Sequence, residues 1–145
     1  MKAFRLFVML ALAGCAAEPA RSPAPPAVPP EASPARTENV AIAGLLQSAH
    51  ADSEAGKLPS AAATLERALR LEPRNPRLWQ ELARVRLKQG EFGQAESVAQ
   101  RSNAWAGGDN ALRAENWRLI AQAREARGDS TGARAATDAA DKLGR

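Results

Sequence analysis

Cysteine occurs once in the 145 residues, histidine once and tyrosine not at all, and three Trp and three Phe supply every aromatic ring. A single thiol, Cys15, makes an internal disulfide impossible and rules out cysteine-based metal sites. Around the lone His50 there is no metal-spaced cluster, no evident pair of catalytic carboxylates, no G-x-S-x-G and no glycine-rich phosphate loop. Gly107-Gly108 reads as a loop. Neither a cofactor nor a metal is expected, and the chain does not read as an enzyme. Long apolar runs are missing too: the run Leu6 to Gly14 would rise only about 14 Å as a helix, roughly half of a hydrocarbon core.

That short run, preceded by Lys2 and Arg5, has the form of a secretory signal. Its end, Leu12-Ala13-Gly14-Cys15, resembles the lipobox of bacterial lipoproteins. The resemblance implies that residues 1–14 are removed, that the Cys15 thiol receives a diacylglyceryl group and that the new amine is acylated. Several acyl chains, at about 0.8 kcal/mol per buried methylene, hold a protein on a membrane durably. The alternative is an ordinary signal peptide cut near Ala17. Ala16 stands where lipoproteins retained in the inner membrane often carry Asp, so the family's sorting rule favours the outer membrane, with the body facing the periplasm. The formal charge of +4 also shrinks: without Lys2 and Arg5 there remain 18 basic against 16 acidic residues, a balance of +2. No nucleic-acid role follows from so small an excess.

Residues 15–38 hold seven of the ten prolines, at 19, 23, 25, 26, 29, 30 and 34. Proline fixes φ and removes a donor, so this stretch is expected to be an extended tether without a core. At about 3.1 Å per residue its span reaches roughly 70 Å. A ligand for a proline-binding module is the other reading.

Residues 39–145 are rich in Ala, Leu, Arg and Glu and lack β-type alternation, which points to an all-α body. The stretch "LWQELARVRLKQG" from Leu78 is echoed by "NWRLIAQAREARG" from Asn116, and in each a Gly lies eleven residues after the Trp. Leu45 stands in the same relation to Gly56. Small residues follow each glycine at +5 (Ala61, Ala95, Ala133) and at +12 (Ala68, Ser102, Ala140). Trp79 with Leu82, and Trp117 with Ile120, share a helical face suited to covering a neighbouring helix. Small Ala83, Ala95, Ala121 and Ala133 allow close approach. Gly56, Gly90 and Gly128 suit helix ends that need positive φ, and Asn75-Pro76, Asp109 and Asp129-Ser130 read as helix starts. Helices are expected near 40–55, 59–72, 76–89, 92–105, 110–127 and 130–143. A buried Trp79 would cost roughly 3–5 kcal/mol on replacement by Ala.

These residues resemble the tetratricopeptide repeat, a helix-turn-helix unit of about 34 residues. Gly56 to Gly90 is 34 residues and Gly90 to Gly128 is 38, the excess falling around "WAGGDNALR". The resemblance implies a short right-handed α-solenoid of about three repeats, near 42–75, 76–109 and 114–145. In the first copy Asp52 stands where the family usually has an aromatic. The apolar Val40, Ile42, Leu45 and Leu46 are expected either to pack within the first hairpin or to form a self-association or partner surface, and the last helix reads as a solubilising cap.

In the same family the first helix of each pair lines a binding groove. Here that face would carry His50, Gln80, Arg84, Lys88, Arg118 and Gln122, a long-armed and partly cationic set suited to an acidic or C-terminal peptide. An ordinary solvated helix face has the same composition. A chaperone-binding carboxylate clamp is not expected, because Leu46 and His50 occupy positions where it needs Lys and Asn. The resulting expectation is a membrane-anchored adaptor for a protein or peptide in an envelope assembly such as a pilus, a secretion channel or a cell-wall enzyme complex. The alternatives are a homo-oligomeric structural lipoprotein and an enzyme subunit using His50.

Overall fold

Each glycine that marks the repeat does the same job at the end of a helix. Gly56, Gly90 and Gly128 have φ of 74°, 77° and 81°, the left-handed conformation that lets a helix stop and turn. At each one the following residue donates its N–H back across the helix end: Lys57 to Asp52 O at 2.8 Å, Glu91 to Arg86 O at 3.0 Å and Asp129 to Arg124 O at 2.9 Å. This is the Schellman closure, formed three times.

The computed structural model describes residues 34–144. The expected signal segment, Cys15 and nearly all of the expected tether lie outside the described residues. Six helices follow in order, with no strand among the described residues: α1 (Pro34–Glu54), α2 (Leu58–Leu71), α3 (Pro76–Lys88), α4 (Phe92–Trp105), α5 (Asn110–Ala126) and α6 (Ser130–Leu143). The expected boundaries hold within about two residues for five of them. The exception is α1, which begins at Pro34 rather than near 40, so the expected tether boundary at 38 falls inside a helix. A proline is tolerated in a first helical turn, where its missing N–H has no intrahelical role, and Ala35 to Asn39 contain no breaker.

Starts are set by side chains. Asn75 Oδ1 accepts from Arg77 N at 3.0 Å, with Pro76 as the first residue of α3. Asp109 accepts from Leu112 N at 3.0 Å and Asp129 from Gly132 N at 2.9 Å. Gly107, at φ 54°, breaks the chain between α4 and α5.

Consecutive helices pack on each other, α1 with α2, α3 with α4 and α5 with α6, and the pairs stack through α2 with α3 and α4 with α5. The second helices bury small residues: Ala68, Ser102 and Ala140, the +12 positions, are all 0% exposed. With no bulk in the way, backbones come close, and the volume is filled by first-helix residues such as Leu78, Leu82, Leu119 and Ile120. One cluster joins repeats one and two around Leu65, Leu78 and Leu82. Another joins repeats two and three around Ala83, Ala99 and Ile120. Ile42 is buried, and Leu45 and Leu46 pack on the first cluster, so the apolar face of α1 is consumed within the body; Val40 stays exposed. Trp79 is only half-buried and its Nε1 donates to Pro73 O at 2.8 Å, which lowers the expected cost of its loss below the range for a fully buried ring.

Four residues before each glycine stand Asp52, Arg86 and Arg124, and there the chain uses polar bonds. Asp52 accepts from Ser60 Oγ at 2.7 Å. Arg86 reaches back to Glu66 of α2 at 2.6 Å, and Arg124 reaches back to Glu96 of α4 at 2.6 Å. These two guanidiniums staple each later repeat to the one before it.

Candidate functional site

The first helices α1, α3 and α5 lie side by side, and their exposed residues form a groove. Between α1 and α3 it holds a depression of about 210 Å³ lined by His50, Ser53, Glu81, Arg84 and Lys88 among others. Between α3 and α5 a second depression of about 220 Å³ is lined by Arg84, Glu115, Arg118, Leu119 and Gln122. Arg84, paired with Glu81 and Glu115, borders both, so the two hollows are neighbours on the face of the three first helices. Each alone is smaller than the roughly 300–1,000 Å³ typical of small-molecule pockets. An elongated, shallow trough of this kind fits an extended peptide.

Five of the six residues expected on this face are on it. Gln80 is the correction. It is 6% exposed, and its Nε2 donates to Asn116 Oδ1 at 3.0 Å and more weakly to Leu112 O at 3.4 Å. Asn116, fully buried, donates in turn to Ser102 Oγ at 2.7 Å and to Asn103 Oδ1 at 3.0 Å. Ser102 Oγ donates to Pro76 O at 2.7 Å. Gln80 sits near the start of α3, where the first turns of α5 cross over it, whereas Arg84 and Lys88, one and two turns later, clear that crossing. It therefore joins α3, α4 and α5 through a polar lock, and meets the surface only at the edge of a small depression shared with Arg77, Asp109 and Glu115.

Carboxylates missing from the sequence-based set shape the groove's charge. His50 Nε2 lies 3.5 Å from Glu81 Oε2, with the imidazole 55% exposed. Arg84 bonds Glu81 at 3.3 Å and also pairs with Glu115 of α5. A line of polar contacts thus runs from α1 to α5, His50 to Glu81 to Arg84 to Glu115. Lys88 Nζ donates to Ser53 Oγ at 2.9 Å. Arg118 has no ion-pair partner among the described residues. The groove is weakly cationic rather than strongly so, with Arg84 already held by two acids and Arg118 held by none. Glu81, three residues before Arg84 on one helix face, was the readable sign of this neutralisation. Ser53 shares a hollow with His50, but its hydroxyl is engaged by Lys88, and among the described residues no hydrogen bond joins it to His50. Nor do His, Cys, Asp and Glu residues gather there into a metal-holding group of three.

Helical hairpins stacked in sequence, each first helix closed by a left-handed glycine and turned toward one groove, define a short α-solenoid. A model described as "Tetratricopeptide repeat" matches residues 53–122, and the chain belongs to the tetratricopeptide-repeat family. Among solved structures it is similar to the globular C-terminal domain of P. aeruginosa LpoP, with 49% identity and a TM-score of 0.68 over 69% of this chain and 94% of that one. It also resembles in fold the N-terminal domain of stress-induced protein-1 from C. elegans, at 14% identity and TM-score 0.62, covering 74% of this chain and 97% of that one. No curated protein matches it significantly in sequence.

Proposed function

We propose that this protein is a non-enzymatic adaptor of the bacterial cell envelope. Acyl chains on Cys15 hold it on a membrane, the outer membrane by the Ala16 rule, and the proline-rich segment extends the repeat domain into the periplasm. There the groove binds a peptide segment of a protein partner. Arg118 and Lys88 meet its carboxylates, Gln122 bonds its backbone, and His50, Glu81 and Arg84 form the polar floor. The likeness to the LpoP domain supports an envelope setting, and membership of a repeat family whose first helices line a binding face supports an adaptor. The observation that carries the reading is the pair of small hollows that adjoin at Arg84 along the first helices, each too small for a typical compact ligand.

Crosslinking in intact cells followed by mass spectrometry tests it, comparing wild type with Arg84→Glu and Arg118→Glu. A discrete partner captured by wild type should be lost with Arg118→Glu and weakened with Arg84→Glu. An unchanged set of partners in both variants refutes the groove. Labelled palmitate should enter wild type and not Cys15→Ser; equal labelling of both refutes the anchor.

A further inference from the structure

We propose that the α4 side of the second repeat is a second docking surface, one that takes an acidic segment of a partner protein. This surface is separate from the groove. At about 100° per residue, Trp79 projects roughly 140° away from Arg84 around α3, toward α4 instead of toward α5. There two arginine-indole stacks interlock. The Arg101 guanidinium lies 4.9 Å from the Trp79 ring centre, and that of Arg74 lies 5.2 Å from the Trp105 ring centre. Arg101 and Trp105 are four apart on one face of α4. Arg74 follows Pro73, whose carbonyl takes the Trp79 indole N–H. The four side chains therefore form one patch where the α2–α3 turn meets α4.

Three properties give the patch its ligand. The first is exposed apolar surface: Trp105 is 44% exposed and Leu71, at the end of α2, is 48% exposed. The second is shape, since Trp79, Gln94, Ser97, Val98 and Arg101 line a depression of about 530 Å³, larger than either hollow of the groove. The third is charge. Among the described residues Arg74 and Arg101 enter no ion pair, as Arg67, Arg70, Arg113, Arg118 and Arg134 do not either; what sets the two apart is that each lies over an indole ring. Glu72 beside them is engaged by Asn75 Nδ2 at 2.6 Å. A guanidinium stacked on an indole is held flat, with its N–H edge outward, ready for a two-pronged bond to a carboxylate. A segment that alternates acidic and apolar residues satisfies both guanidiniums and covers the exposed rings. An anionic lipid surface fits less well, because Trp79 is half-buried, covered on one side by Arg101 and hydrogen-bonded to Pro73 O, which leaves only Trp105 and Leu71 to insert.

The three tryptophans give three indole N–H signals, which makes the test direct. The full chain is titrated with a synthetic octapeptide of alternating Glu and Leu, and separately with its Gln and Leu counterpart. The Trp79 and Trp105 signals should move with the acidic peptide alone, while Trp117 stays still. Arg74→Gln combined with Arg101→Gln should weaken binding by at least about tenfold, and Arg134→Gln on α6 should not. Helix content by circular dichroism shows that the exposed substitutions leave the fold intact. The proposal is overturned by signals unmoved at millimolar peptide, by equal response to the neutral peptide, or by unchanged affinity in the double variant. Sedimentation with phosphatidylglycerol vesicles that depends on Arg74 and Arg101, without any response to peptide, makes the patch a membrane face and also overturns it. None of these outcomes bears on the groove variants, so the two readings fail separately.

Discussion

At the scale of single residues, the most consequential side chain is Asn116. It spends its amide on Gln80, Ser102 and Asn103, and every buried side-chain polar atom among the described residues has a partner. A fully bonded polar cluster of this kind is costly to break, since removing one member strands the others in a dry interior. Asn116→Ala should therefore lower unfolding free energy by about 2–3 kcal/mol, most of it the penalty on Gln80, left with its weak bond to Leu112 O, and on Ser102, left with its bond to Pro76 O alone. Urea denaturation checks this; a loss under about 0.5 kcal/mol, as for an ordinary surface change, contradicts the lock. The lock was not legible in the sequence. Gln80 shares a helical stripe with Arg84 and Lys88, both of which are solvated, and its bonding partner lies 36 positions away. Periodicity identifies a face, but it does not say which turn of that face the next helix will cross. The other five side chains of the predicted set line the two hollows, because beyond that crossing α5 does not bury them.

At the scale of elements, the first helices are ended by backbone conformation rather than by packing. A Cβ built on Gly90 meets nothing within 4 Å, yet its φ is +77°. Gly90→Ala should thus cost only the left-handed penalty, about 1–2 kcal/mol, with helix content unchanged by circular dichroism. A neutral or stabilising result would mean that the turn relaxes without glycine. These closures explain why five helices were readable to within two residues. Glycine and cap residues at fixed offsets are local chemistry, and local chemistry is written in order along the chain. The start of α1 was not readable in the same way, because Pro34 both ends a proline-rich run and suits a first helical turn. The Arg86 and Arg124 staples were also missed. Arginine on a helix reads as solvated until its partner on the preceding repeat is known.

At the scale of the whole molecule, each hairpin is covered by its neighbours and the first helices are left facing a common trough. Small residues on α2, α4 and α6 let the pairs close up, the polar lock fixes repeat two against repeat three, and Arg84 bridges the two hollows that result. The α4 side carries a different arrangement, with arginines outside any ion pair lying over the half-buried Trp79 and the exposed Trp105. Two faces of different chemistry suit an adaptor that holds more than one segment at once. The most direct measurement is site-specific photo-crosslinking in intact cells. A benzophenone amino acid is placed at Gln122 in the groove or at Asp138, exposed on α6. One discrete adduct is expected from position 122, lost when Arg118→Glu is added, and none from position 138. Adducts from 138 with none from 122 would contradict it.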